Sequence, residues 1–283
     1  MNILHIDSSP RRESHSRQLS EAIVERLLEV APGASITRRD LGADPLPQTE
    51  AQYAAALASP ATLAAPPMGS LDLSEVLIRE VEAADAIVIG TPMHNLTIPS
   101  VLKAWIDQIL RVGRTMKSTP AGKVGMLLDR PVFIGVASGG FFTGERANQP
   151  DFLTPYLSLA LSSIGLRTQQ FLPLQGTAFL DRSQAPLARD KTLAALDLTV
   201  MKEFRARSRS PCSSVEHRSV VSRCHSAFES LARSILRARH KLSAHGSEPS
   251  GLGRTTEHEA ADDFTKQYPL PNRRQDRQQI STA

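Results

Sequence analysis

Hydrophobic positions along the chain switch repeatedly between two periods. Residues 2–7 form a short apolar run of β-formers stopped by Ser8-Ser9-Pro10, which predicts a buried strand followed by a loop. Leu19, Ile23, Leu27 and Val30 then recur at helical spacing, after Ser14-His15-Ser16 has offered N-cap oxygens. Residues 35–41 predict a second strand. The Pro- and Ala-rich stretch after it, to about residue 71, is long for a connection and predicts a functional segment, a short helix over 50–58, or both. A helix over 72–83 leads into residues 86–90, an unbroken apolar run of the kind found in strands covered on both faces. Beyond the loop from Thr91 to Pro99, the positions Val101, Leu102, Trp105, Ile106, Ile109 and Leu110 repeat at helical spacing. Residues 131–137 predict another buried strand, broken by Ser138-Gly139-Gly140. A helix over 152–164, a strand over 167–173 and a helix from about 184 to 204 complete the series.

Strands alternating with helices predict a doubly wound, parallel five-stranded sheet with helices on both faces and right-handed crossovers. Ligands in such sheets bind beyond the carboxyl ends of the strands. Three strand ends are rich in small hydrogen-bonding residues: Ser8-Ser9 with Ser14 to Gln18, Thr91 to Leu96, and Ala137 to Gly140. These loops are expected to converge. The first has the makings of a phosphate cradle, because hydroxyls, amide N–H groups and a helix N-terminus all favour an anion; serine is equally a good helix cap, so the reading stays open on these residues alone. No GxGxxG follows the first strand and no GxxxxGK[ST] occurs, which disfavours a dinucleotide-binding Rossmann site and a P-loop NTPase.

Charge divides the chain. Residues 1–200 hold 18 Lys and Arg against 20 Asp and Glu, whereas residues 201–283 hold 15 against 9, so the net charge of +4 arises entirely from the last part. Apolar content falls at the same point, which sets a boundary near residue 204: a folded domain over 1–204 and a basic, mostly disordered extension over 205–283. No apolar run is long enough to span a membrane and the N-terminus has no leader pattern, so the expected setting is cytoplasmic, without a membrane partner. The two cysteines, Cys212 and Cys224, are spaced for neither a redox pair nor zinc, and no metal site is expected.

The stretch Thr91-Pro92-Met93-His94-Asn95-Leu96-Thr97-Ile98-Pro99-Ser100-Val101-Leu102-Lys103-Ala104-Trp105-Ile106-Asp107 resembles the flavin loop and following helix of the flavodoxin-like FMN-dependent NADH azoreductases, also called NADH:quinone oxidoreductases. The opening strand with Ser8-Ser9, Ser14-His15-Ser16-Arg17-Gln18-Leu19, Arg39-Asp40-Leu41, Ser138-Gly139-Gly140 and Thr154-Pro155-Tyr156-Leu157 fall in the family's order. The resemblance covers residues 1–204. It implies that Ser9, Ser14, His15 and Ser16 hold the FMN phosphate, that Met93, His94, Asn95 and Leu96 pass beside the isoalloxazine ring, and that Ala137, Ser138, Gly139 and Gly140 close over its other edge. A ring of that kind wants an apolar wall and backbone donors that tune its nitrogens and oxygens, and the glycines allow close backbone approach.

The resemblance further implies NADH as electron donor, ping-pong transfer of two electrons to a quinone or an azo bond, and a homodimer. No dedicated catalytic residue is required; His94 is a candidate proton donor, with a polar place on the pocket wall as the plainer reading. Departures concern the acceptor. The family's Met-Tyr-Asn-Phe is Met93-His94-Asn95-Leu96 here, its Ser-Arg-Gly-Gly is Ala137-Ser138-Gly139-Gly140, and an aromatic after the Trp-bearing helix is Met116. Losing rings that stack on aromatic acceptors should alter which of them bind; Phe141 and Phe142 are candidates to compensate, or to pack in the core. Trp105 reads as core or as an interface anchor. A flavodoxin-like reductase preferring NADPH or nitroaromatics is the neighbouring alternative. A different class is a flavin-binding interaction protein acting through the tail, where residues 226–243 have a basic amphipathic pattern. No nucleic-acid-binding fold accompanies that pattern, and a nucleic acid is not an expected partner.

Overall fold

The computed structural model describes residues 1–201, apart from residue 121, and residue 204. The extension expected from residue 205 onward, the amphipathic segment 226–243 and both cysteines lie outside the described residues.

Five strands, β1 (Asn2–Asp7), β2 (Ser35–Asp40), β3 (Ala86–Pro92), β6 (Val132–Ala137) and β7 (Gln169–Leu174), form one parallel sheet in the order β2-β1-β3-β6-β7. The pairing is the expected doubly wound one: Ile3 sits beside Ile36 and Ala86, and Ile89 beside Ile134. Successive side chains on a strand face opposite ways, and the two faces bury different sets. Leu4, Ile6, Ile87, Ile89, Val132, Ile134 and Val136 pack against α4 (Asp72–Ala83), α5 (Ser100–Ile109) and α6 (Thr154–Ile164). Ile3, Val88 and Phe133 pack against α1 (His15–Val30), whose Leu19, Ile23 and Leu27 form its buried stripe. Each such side chain withdrawn from water contributes about 1.5–3 kcal/mol before conformational entropy is set against it. Trp105 is fully buried within one chain, so its role is core packing.

Four local features depart from the sequence reading. The Pro/Ala-rich stretch holds the short helix expected over 50–58, as α2 (Ala51–Leu57), and a second, unexpected one, α3 (Pro60–Ala64). The second begins at a capping box in which Ser59 and Thr62 exchange side-chain and backbone hydrogen bonds. A hairpin of β4 (Met116–Thr119) and β5 (Gly122–Gly125) follows α5, and a 3-10 turn spans Thr177–Phe179. The last predicted helix ends early: α7 covers Gln184–Leu193 only, and helix resumes at residue 199. Gln170 on β7 causes the break, donating to the Ala195 carbonyl at 2.7 Å and accepting from the Asp197 N–H at 3.1 Å, while the Asp197 carboxylate caps Thr199 N–H at 2.8 Å.

Among the described residues no helix is long and apolar enough to cross a membrane, and no group of three His, Cys, Asp or Glu is placed to hold a metal.

Candidate functional site

β1, β3 and β6 are neighbours in the sheet, so the loops leaving their carboxyl ends are neighbours too. The first loop is tied down at once: the N–H and hydroxyl of Ser8 both donate to the Gly90 carbonyl of β3, at 3.0 and 3.1 Å. Ser9 is buried, and its hydroxyl accepts from the Arg11 N–H at 3.3 Å. Ser14 caps α1 from an extended backbone, its oxygen accepting from the Arg17 N–H at 3.2 Å and lying 3.1 Å from the Ser16 oxygen. Amides in the first turn of a helix have no intrahelical acceptor. Ser14 takes that of Arg17, and those of His15 and Ser16 stand at the positive end of the helix dipole. His15 is half-buried, and burial together with the Arg11 charge holds its pKa below the usual imidazole value.

Under this loop lies a polar cluster in an otherwise apolar layer. Ser20 donates to Asp7 Oδ1 at 2.9 Å, and His5 Nε2 lies 2.9 Å from the Ser20 oxygen and 3.4 Å from Asp7 Oδ2. Burial pushes the Asp7 carboxyl above its usual range, against the pull of His5, Ser20 and Arg17, and pushes His5 down. Gly90 makes room for the cluster, since a Cβ there would fall 2.5 Å from Ser20 Oγ and 2.7 Å from Asp7 Oδ1.

The second loop is a tight turn. His94 and Thr97 exchange N–H···O=C bonds of 2.9 and 3.0 Å, with Asn95 and Leu96 between them at φ 48° and 70°. Asparagine tolerates this left-handed region, but leucine there costs about 1–2 kcal/mol, and such strain persists only where surroundings over-determine it. The surroundings do so: Met93 N–H donates to the Ala137 carbonyl at 2.8 Å, and Phe152 N–H donates to the Leu96 carbonyl at 3.1 Å. His94 is exposed at the turn.

The third loop is laced to the end of β7. Ser138, Gly139 and Gly140 each give a carbonyl to the segment 176–178, at 3.0 Å (Thr177 N–H), 3.4 Å (Ala178 N–H) and 3.1 Å (Gly176 N–H). Gln149 then joins the second loop to the third, its side-chain amide donating to Ser138 Oγ at 2.9 Å and reaching Met93 Sδ at 3.2 Å. It lies over Gly140, where a Cβ would meet its Oε1 at 2.8 Å. Sequence reasoning missed Gln149, because a lone glutamine in a loop of Gly, Asn and Pro carries no periodic or motif signal. Phe142 is buried in the core, whereas Phe141 lies at the rim, stacked parallel to Phe179 at 6.4 Å with the Arg146 guanidinium 4.3 Å from its centroid. Met116 is also buried, at the start of β4.

An all-parallel sheet in this order, with small-residue loops at the carboxyl ends of its three middle strands and an amide-rich helix start in the first, defines a flavodoxin-like α/β protein. The chain belongs to the flavodoxin-like fold family, which it matches over residues 1–199, and within it to the NADH:quinone oxidoreductases and azoreductases. It is 49% identical over 199 residues to FMN-dependent NADH:quinone oxidoreductase 4 of Pseudomonas fluorescens, an overlap of 70% of this chain and 94% of that one. It is 45% identical to FMN-dependent NADH:quinone oxidoreductase 5 of Burkholderia lata, over 68% of this chain and 96% of that one. Among solved structures it resembles an FMN-dependent NADH-azoreductase from Bacillus anthracis in complex with FMN, at 25% identity and a TM-score of 0.58, over 69% of this chain and 96% of that one.

The residues present fit FMN. The hydroxyls of Ser9, Ser14 and Ser16 and the amides of His15 and Ser16 are the donors a phosphate monoester takes up. Met93 and Leu96 give an apolar edge, and the exposed Gly139 leaves room for a flat ring beside the backbone.

Proposed function

We propose that this chain is an FMN-dependent NADH:quinone oxidoreductase and azoreductase. One observation carries the reading: three hydrogen-bonding loops at the ends of adjacent strands form one stitched surface, in a chain nearly half identical to proteins of that name. Bound FMN supplies acceptance of a hydride from NADH and delivery of two electrons to a quinone or an azo bond. The protein's part is to bind and orient. Ser9, Ser14, His15 and Ser16 hold the phosphate through hydroxyls and first-turn amides; Met93, His94, Asn95 and Leu96 form the wall on one side of the ring, and Ala137, Ser138, Gly139 and Gly140 the wall on the other. Binding and orientation of this kind need no resident acid or base; the exposed His94 is the candidate proton donor to the reduced acceptor, with a polar place on the pocket wall as its plainer role.

The same reading makes the protein a cytoplasmic homodimer. Support for the dimer comes from apolar side chains left in water along α6 and the strand connection before β6: Leu159 is 72% exposed, Leu128 57% and Met126 50%. Sedimentation at micromolar protein should give twice the chain mass.

The visible spectrum of the purified protein tests the function. A flavin spectrum that bleaches on anaerobic addition of NADH, and returns on addition of a quinone or an azo dye, is expected. A colourless protein that cannot be reconstituted with FMN would overturn the reading. NADPH and a nitroaromatic, run beside NADH and the quinone, set the donor and acceptor preference.

A further inference from the structure

Arg17 follows the phosphate-loop serines on α1, half-way into the protein, with 15% of its side chain exposed. Its guanidinium engages two partners, one in the first loop and one at the end of β2. Nε and one terminal nitrogen donate to the Ser9 carbonyl at 3.0 and 2.7 Å; the two terminal nitrogens form a bidentate pair with the Asp40 carboxylate at 2.7 and 2.5 Å. A second carboxylate, Asp7, lies 3.8 Å away. Asp40 is the last residue of β2, and its remaining capacity is spent on its own turn, accepting from Gly42 and Ala43 N–H groups at 3.1 and 3.0 Å. Gly42 in turn lets the β2 turn close onto the first loop: a Cβ at that position would lie 2.0 Å from the Ser9 carbonyl oxygen and 2.9 Å from the Arg17 guanidinium. The end of an edge strand is therefore clamped to the Ser9 backbone through one arginine. Arg39-Asp40-Leu41 stands out in the sequence, but the flavin loops themselves do not use it.

We propose that Arg17, held by Asp40, is a positioning residue for the phosphate end of the flavin: it fixes the Ser9 carbonyl, and so the direction of the Ser9 side chain and of the chain that leads to Ser14. Bidentate guanidinium–carboxylate geometry supplies direction as well as energy, which a lysine at the same place does not reproduce. With its charge met by Asp40, Arg17 acts through the loop and makes no claim on the phosphate itself. The inference rests on the flavin reading above and deepens it.

The test compares two flavins that differ only at the phosphate. Apo-protein is titrated with FMN and with riboflavin, by quenching of flavin fluorescence, for the wild type, Arg17→Lys, Asp40→Asn and Arg17→Ala. FMN binding is expected to weaken by about tenfold in Arg17→Lys and Asp40→Asn, the effect of one charge-assisted hydrogen bond lost, with riboflavin binding changed less than about twofold. Equal weakening of both flavins would make Arg17 a general structural residue and overturn the proposal, as would no weakening of FMN. Arg17→Ala extends the series if it folds; the two milder variants decide the matter if it does not. A wild-type protein that binds neither flavin would overturn the flavin reading itself, before any variant is compared, and this proposal with it.

Discussion

Gln149 offers the complementary perturbation at the other end of the site. Its side-chain amide is the bridge between Met93 in the second loop and Ser138 in the third, and it lies across Gly140. In Gln149→Ala the Ser138 hydroxyl, only 3% exposed, loses its amide donor. An uncompensated buried polar group costs about 1–3 kcal/mol, and because the Gln149 stem is only half-buried little apolar burial is lost with it. We expect the lower half of that range, about 1–2 kcal/mol, which lowers Tm by about 2–4 °C per kcal/mol for a domain of this size. The loops it joins are those assigned to the ring, so both FMN and riboflavin should bind less tightly by a common factor of about ten, in contrast to the phosphate-selective loss expected for Arg17. Fluorescence titration with the two flavins and urea unfolding of the apo-protein provide the readouts. If Gln149→Ala weakened FMN but left riboflavin untouched, or lowered stability while leaving both affinities unchanged, the assignment of the second and third loops to the ring would be refuted.

Other expectations follow from single contacts. Gly90→Ala pushes a methyl group into Ser20 and Asp7 and should cost about 1–3 kcal/mol, read as a lower urea midpoint at unchanged m-value. Leu96→Asn should be tolerated in the strained turn, whereas Leu96→Ile, β-branched at positive φ, should cost at least about 1 kcal/mol in the same assay. The Arg114 and Arg111 guanidiniums hold Glu75 down to about 2, below its ordinary 4.5. A depressed carboxylate adds stability above its unfolded pKa and loses it as pH falls through the folded one. The stability gap between wild type and Glu75→Gln should therefore be constant above about pH 5 and shrink between 4.5 and 2; a gap that widens on acidification would contradict the pairing.

What could be read from the sequence follows physical signal strength. β3 and β6, buried on both faces, show as unbroken apolar runs, and α1, α4 and α5 show as stripes because each has one buried face. The β4–β5 hairpin has no such imprint: of its eight residues only Met116 is buried, so neither alternation nor an apolar run marks it. α3 left a signal that composition masked, a Ser-Pro start inside a Pro- and Ala-rich stretch. The early end of α7 was invisible because it depends on Gln170, more than twenty residues upstream. In the site, Ser14 was legible as a cap and a donor, and Thr91 to Pro99 as a loop. The strain at Leu96 was not, since its cause is the pair of anchors at Ala137 and Phe152.

The segment beyond Gly140 is closed at its own base. Phe141 accepts through its carbonyl from the N–H groups of Asn148 and Gln149 at 2.9 and 3.2 Å, and its N–H donates to the Asn148 side chain at 3.2 Å. Residues 142–147 are thus an excursion whose two ends are already joined before the site begins. Lengthening a closed excursion costs only about 0.6 kcal/mol per doubling of its length. Added residues at 143–147 would hang from the Phe141–Asn148 junction without displacing Gln149 or Ser138. A reporter sequence can be grafted there while the hydrogen bonds of Gln149 and Ser138 keep their register.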